Sequence, residues 1–182
     1  MRKALGGSHT QAMDTDDALA FLKAHQPLPP DKALDQPLIE AFDAVRLHFA
    51  AHPDPRCIPL FLGAFGSGSG FGVFQLCDEV FSHFRPEDLS PQLQAAIRSL
   101  HPGTRGWAVE WAMLYPHPSL LPALQERLEA EVPEDEDSRP FVVAAVETIW
   151  LTFQTARALE LLLALKASDP RPHVREITDR LP

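Results

Sequence analysis

Lysine is nearly missing from this chain. It stands only at positions 3, 23, 32 and 166, and 16 basic residues face 25 acidic ones, for a formal charge of −9 over 182 residues. A surface of that sign repels phosphate backbones, so no nucleic acid is expected as a partner, and a basic protein is the better electrostatic match. Cysteine is scarce too. Cys57 and Cys77 are the only two and lack CxxC spacing. They read as buried small hydrophobes in a reducing, cytoplasmic compartment, with a disulfide as the alternative. No apolar h-region is present near the start, so secretion by that route is not expected. The longest apolar run, residues 141–165, is broken by Glu147, Gln154, Arg157 and Glu160. That predicts two packed helices rather than a membrane span. No stretch alternates with period two, so no strand is expected.

Proline is plentiful, at 18 residues, and falls mostly between apolar runs. This is the punctuation of a multi-helix array. Residues 1–13 lack periodicity and read as a disordered leader; Met13 could itself initiate the natural chain. A short helix is expected over 14–26, with Asp14, Asp16 and Asp17 favouring its N-terminus. A second is expected over 37–52, where Leu38, Phe42, Val45 and Phe49 recur at helical spacing. Further helices are predicted at 54–66, 71–84, 87–100, 102–115, 118–132, 138–153, 155–167 and 170–181. The expected class is all-α, a single domain over 14–182.

The most informative stretch is residues 89–128. Pro102 pre-sets the first turn of a helix, where its missing N–H is harmless. Arg105, Ala108 and Ala112 follow at i, i+3 and i+7. The pattern resembles the HEAT repeat, in which a proline after the turn, an arginine and then alanines mark the second helix. Arg139 and Arg175 recur at offsets of 34 and 36 residues, within the range of helical repeats. The last copy, DPRPHVREITDRL, is closest to the family pattern. Others depart from it, with His101 and Thr104 where the family tends to Asp and Val, Pro140 directly after Arg139, and a Gly/Ser loop in place of the first arginine. The resemblance implies a short α-solenoid of antiparallel pairs: about four over residues 54–182, capped by the helices of 14–53. It implies structural roles for Arg105, Arg139 and Arg175, whose guanidinium groups would reach carboxylates or helix-end carbonyls of adjacent repeats.

Several constellations bear on function. The run 66–72 (GSGSGFG) could cradle an anion with its N–H groups, but no strand precedes it and no GK[ST] follows. A flexible turn with Ser67 or Ser69 as N-cap is the alternative. His48 and His52 share a helix face, yet HExxH is absent, so no metal and no cofactor are expected. No serine has nucleophile-elbow spacing. Trp107, Trp111 and Tyr115 lie one turn apart. They either fill the core or expose an indole on the inner face as an anchor. Glu79, Glu110 and Glu147 recur within the second helices of the pairs. They form either a negative ridge beside the aromatics or ordinary solvated faces. The acidic loop 129–137 would extend the same field.

The expected function is protein–protein binding through a concave acidic and aromatic surface made by Trp107, Trp111, Glu79, Glu110 and Glu147. GFGVFQLCDEV (70–80), GWAVEWA (106–112) and HPSLLPAL (117–124) look like small bacterial HEAT-like proteins. Some of these are similar to immunity proteins, in which an acidic inhibitor plugs a basic toxin. Two alternatives stay open: a HEAT-like enzyme of the DNA glycosylase type, against which the acidic charge counts, and a small-molecule or chromophore-handling protein.

Overall fold

A computed structural model describes residues 13–130 and 138–181. The expected leader other than Met13, and the acidic segment 131–137, lie outside the described residues. Among those described there are ten α-helices and no strand. They are α1 (Thr15–Ala24), α2 (Gln36–Ala51), α3 (Cys57–Ala64), α4 (Asp78–Phe81), α5 (Pro86–Ile97), α6 (Pro102–Leu114), α7 (Leu121–Glu129), α8 (Arg139–Phe153), α9 (Ala156–Ser168) and α10 (Pro172–Thr178). None is long and apolar enough to cross a membrane.

Local chemistry explains the boundaries. Asp14 and Asp35 cap α1 and α2 by accepting from the N–H groups of Asp17 and Leu38, each satisfying a donor the helix leaves free. Proline occupies the first turn of α2, α5, α6, α7, α8 and α10, where it replaces an orphan N–H. His101 and Thr104, the two departures from the repeat pattern, both work at the start of α6. The His101 ring accepts from the Thr104 N–H at 3.2 Å, and the Thr104 hydroxyl donates to the Phe65 carbonyl at 3.3 Å.

The helices stack in two rows. Odd-numbered helices pack in succession, α1 on α3, α3 on α5, α5 on α7 and α7 on α9, while α2 packs on α4, α6 on α8 and α8 on α10. Between α4 and α6 the row continues through the edge of Phe81 against Trp111, at 4.8 Å between ring centroids. Most of these contacts join sequence neighbours or next neighbours, with α3 also meeting α6, a pattern consistent with stacked pairs. The helices expected as caps, α1 and α2, extend both rows.

The predicted helix over 71–84 does not form as one element. Its first half is two single 3₁₀ turns, Gly70–Gly72 and Gln75–Cys77, and α4 starts only at Asp78. At its start the cause lies in the backbone, because Gly68, Gly70, Phe71 and Gly72 all have positive φ, which a right-handed helix cannot contain.

The core runs between the rows and is rich in rings. Phe42, Phe49, Phe61, Phe65, Phe74 and Phe81 are fully enclosed, and most meet edge to face, as at Phe42 and Phe61, 5.6 Å apart. Both cysteines are buried free thiols. Burial pushes the Cys57 thiol up to about 12 and raises Cys77 as well, so neither is poised as a nucleophile.

Candidate functional site

Helix α6 sits at the centre of the stack and is packed on two sides. Ala108 and Ala112 have no exposed surface, consistent with the close approach of α8. Trp107 and Trp111 lie on the adjoining arc, against Phe65, Phe74 and Phe81. The exposed indole anticipated at Trp107 or Trp111 is therefore absent. They are 8% and 2% exposed, because a central helix can bury a small-residue face and a large-residue face at once. Trp107 Nε1 donates to the Gly68 carbonyl at 2.9 Å. Trp111 Nε1 is buried without a hydrogen-bond partner among the described residues.

The three glutamates have different surroundings. Glu79 accepts from the guanidinium of Arg46, a buried side chain that also holds Asp43 at 2.6 Å and so ties α2 to α4. Glu147 pairs with Arg180 at 3.1 Å, linking α8 to the end of the chain beyond α10. Glu110 has no ion pair or hydrogen bond among the described residues, and burial raises its carboxyl above the ordinary range. The expected ridge is thus two satisfied carboxylates and one unsatisfied one. Asp78, beside Glu79, accepts from the Tyr115 hydroxyl at 2.6 Å.

The arginine ladder resolves into three separate arrangements. Arg105, the fourth residue of α6, donates to the Ser99 and Leu100 carbonyls at 3.1 and 2.9 Å and so closes its own turn. Arg139, the first residue of α8, donates to Asp169 at 2.8 Å and to the Leu128 carbonyl at 2.8 Å. It spans two pairs, joining the end of α7 to the α9–α10 turn. Burial pushes the Asp169 carboxyl up, but the Arg171 N–H and the Arg139 guanidinium outweigh it and hold it low. Arg175, the fourth residue of α10, is exposed.

The Gly/Ser loop is the most constructed place in the molecule, and it already holds an anion: the chain's own Asp31. That carboxylate accepts from the Ser69 N–H at 3.0 Å, the Gly70 N–H at 2.9 Å and the Ser69 hydroxyl at 3.3 Å. The Ser69 N–H and its companions keep the Asp31 carboxyl below its usual value. The segment between α1 and α2, which carries Asp31, is held down further by the Leu28 N–H donating to the Ala64 carbonyl at 2.9 Å. On the other side, a Cβ at Gly103 would collide with the Gly66 carbonyl and the Ser67 nitrogen. A substituent there would push α6 away from the loop.

At the loop's tip is Phe71, with φ 53° and ψ 31° and 59% of its surface exposed. A bulky residue in the left-handed region costs roughly 1–2 kcal/mol, and here the ring is only partly buried. Local spacing carried no signal for Asp31, which lies 38 residues from its partner Ser69. Phe71 did carry one, as the single large residue in a run of glycines and serines.

His48 and His52 stack with 4.9 Å between centroids, and His48 Nε2 lies 3.1 Å from the Thr15 hydroxyl. No group of three or more His, Cys, Asp or Glu suited to a metal occurs among the described residues. An open pocket of about 400 Å³ lies elsewhere, between the start of α7 and the start of α9, lined by Pro118, Leu121, Pro122, Gln125, Thr155 and Arg157. Arg157 there is held by Gln125 at 2.6 Å and by Glu160 at 3.2 Å. The chain matches no known protein family, no curated protein and no solved structure.

Proposed function

We propose that this protein is a HEAT-like binding module whose exposed stripe on α6 takes up a basic protein partner. The observation that carries the reading is Glu110. Its carboxylate has lost part of its hydration without gaining a cation, and burial alone has raised its pKa. Such a group is stabilised by an incoming lysine or arginine that is itself partly desolvated on docking. Its surroundings suit a contact. A Cβ at Gly106 would meet only open space, and Leu114, one turn further on, is 62% exposed. The net charge of −9 steers a basic partner toward the whole surface. Inhibition of a basic toxin in a bacterial cytoplasm is the specific form of this reading that the immunity-protein resemblance suggests.

The test is affinity capture from the native host, followed by kinetics with the purified partner. Salt should slow association more than it speeds dissociation, because screening acts on long-range encounter. Glu110→Gln should raise the dissociation rate. A neutral or acidic partner, or one whose binding ignores both salt and Glu110→Gln, would refute the proposal.

A further inference from the structure

We infer that Phe71 is the anchor of this protein's partner interface, inserting its ring into an apolar, phenyl-sized pocket on a protein partner. The inference rests on the α6 surface proposed above and adds to it the residue that grips.

Four observations converge on the ring. Phe71 holds a backbone conformation that disfavours any side chain, and glycine, the residue that tolerates it, is its neighbour on both sides. The sequence therefore places an aromatic at a loop position where it is strained, while the other positive-φ positions of the loop are glycines. The ring is more than half exposed, so the core does not explain it. The loop is held by three independent ties: the Asp31 carboxylate on Ser69 and Gly70, the Trp107 indole on the Gly68 carbonyl, and the contact of Gly103 with Gly66. A ring presented on a prefixed backbone loses little entropy on docking, which is the property of an interface anchor. Fourth, the loop stands on the proposed surface. At 100° per residue, Gly103, Trp107, Glu110 and Leu114 fall within about 60° of arc on α6. The loop backbone covers the first two of these and leaves Glu110 and Leu114 open beyond it.

The loop carries no charged side chain and its one large side chain is the exposed ring of Phe71, so the pocket that takes this ring is apolar. The cationic contact comes from the pocket's rim, beside Glu110. Leu100, at 95% exposed, serves as the control, since it is an exposed apolar residue on the α5–α6 turn without the left-handed backbone of Phe71.

The experiment places the photoreactive residue p-benzoylphenylalanine at position 71 of the full chain in its native cells, with the same label at position 100 as control. The protein crosslinked only from position 71 is then purified, and its affinity is measured for the unlabelled parent, Phe71→Gly, Phe71→Asn, Glu110→Gln and Leu100→Ala. The expected result is a loss of about thirty-fold or more for both Phe71 variants, with Leu100→Ala unchanged. The free Phe71→Gly chain should melt no lower than the parent, because glycine accepts this backbone without strain. Loss with Glu110→Gln but not with Phe71→Gly would overturn the anchor and leave the α6 surface standing. Loss with Phe71→Gly alone would keep the anchor and remove the basic partner, and loss with neither would overturn both. Equal labelling from positions 71 and 100, or unfolding of both Phe71 variants, would also overturn the anchor.

Discussion

Glu110 shows what a single residue can reveal about function. Its folded-state pKa is raised, so the folded state favours the protonated form, and its contribution to stability is present at low pH and declines as pH rises through the folded value. Removing the charge should then stabilise the free protein where the carboxylate is ionised. Glu110→Gln is expected to raise the melting temperature at pH 7, and the difference should vanish below about pH 4, where both side chains are neutral. Melts at the two pH values check this; a Gln variant less stable at pH 7 would mean that the carboxylate has a stabilising partner. Asp31 behaves with the opposite sign. Its pKa is depressed, so its contribution is complete above the unfolded value and lost as pH falls through the folded one. Asp31→Ala strands the Ser69 and Gly70 N–H groups and should cost roughly 1–3 kcal/mol at pH 7 by denaturant unfolding. A variant as stable as the parent would show that water replaces the carboxylate freely.

At the scale of elements, most helices were legible because their boundaries are written locally. Asp14 and Asp35 cap, the prolines open, and the spacing of Phe42, Val45 and Phe49 gives the buried side of α2. What was not legible depends on partners distant in sequence. The region 71–84 has the composition of a helix, but the Asp31 carboxylate from another segment organises the loop, and its positive φ angles exclude helix through Gly72. Trp107 and Trp111 could not be placed inside by spacing alone, since spacing shows which residues share a side of α6 but not how many sides are covered. The pairing of Arg46 with Glu79 likewise crosses 33 residues. The alanine side of α6 gives a direct test of the two-sided packing. With Ala112 fully enclosed, Ala112→Leu should overpack the contact and cost on the order of 1–3 kcal/mol. An unchanged urea midpoint would place that side of α6 against a looser neighbour than α8.

Over the whole molecule, two rows of helices that touch chiefly their near neighbours should not open as one unit. Stability in such a stack is close to a sum of local terms and nearest-neighbour interfaces, so it is greatest where an element is flanked on both sides. Helix α6 is flanked in this way and sits beside the ring cluster of Phe65, Phe81, Trp107 and Trp111. Helix α10 packs mainly on α8 and α9 among the described residues. Its inward side holds the fully buried Thr178 hydroxyl, and it also carries His173 Nε2; neither atom has a hydrogen-bond partner among the described residues. Each buried polar atom left unpaired forfeits its hydration, about 1–3 kcal/mol. The ion pair of Arg180 with Glu147 is partly exposed and offsets little of that. Amide hydrogen exchange followed by mass spectrometry should therefore show a gradient, with α10 exchanging first, α9 and α8 next, and α3, α5 and α6 last. Thr178→Val removes the unpaired hydroxyl at nearly constant shape and should slow exchange in α10 while leaving α6 unchanged. Protection in α10 equal to that in α6 would show one cooperative unit instead of a stack.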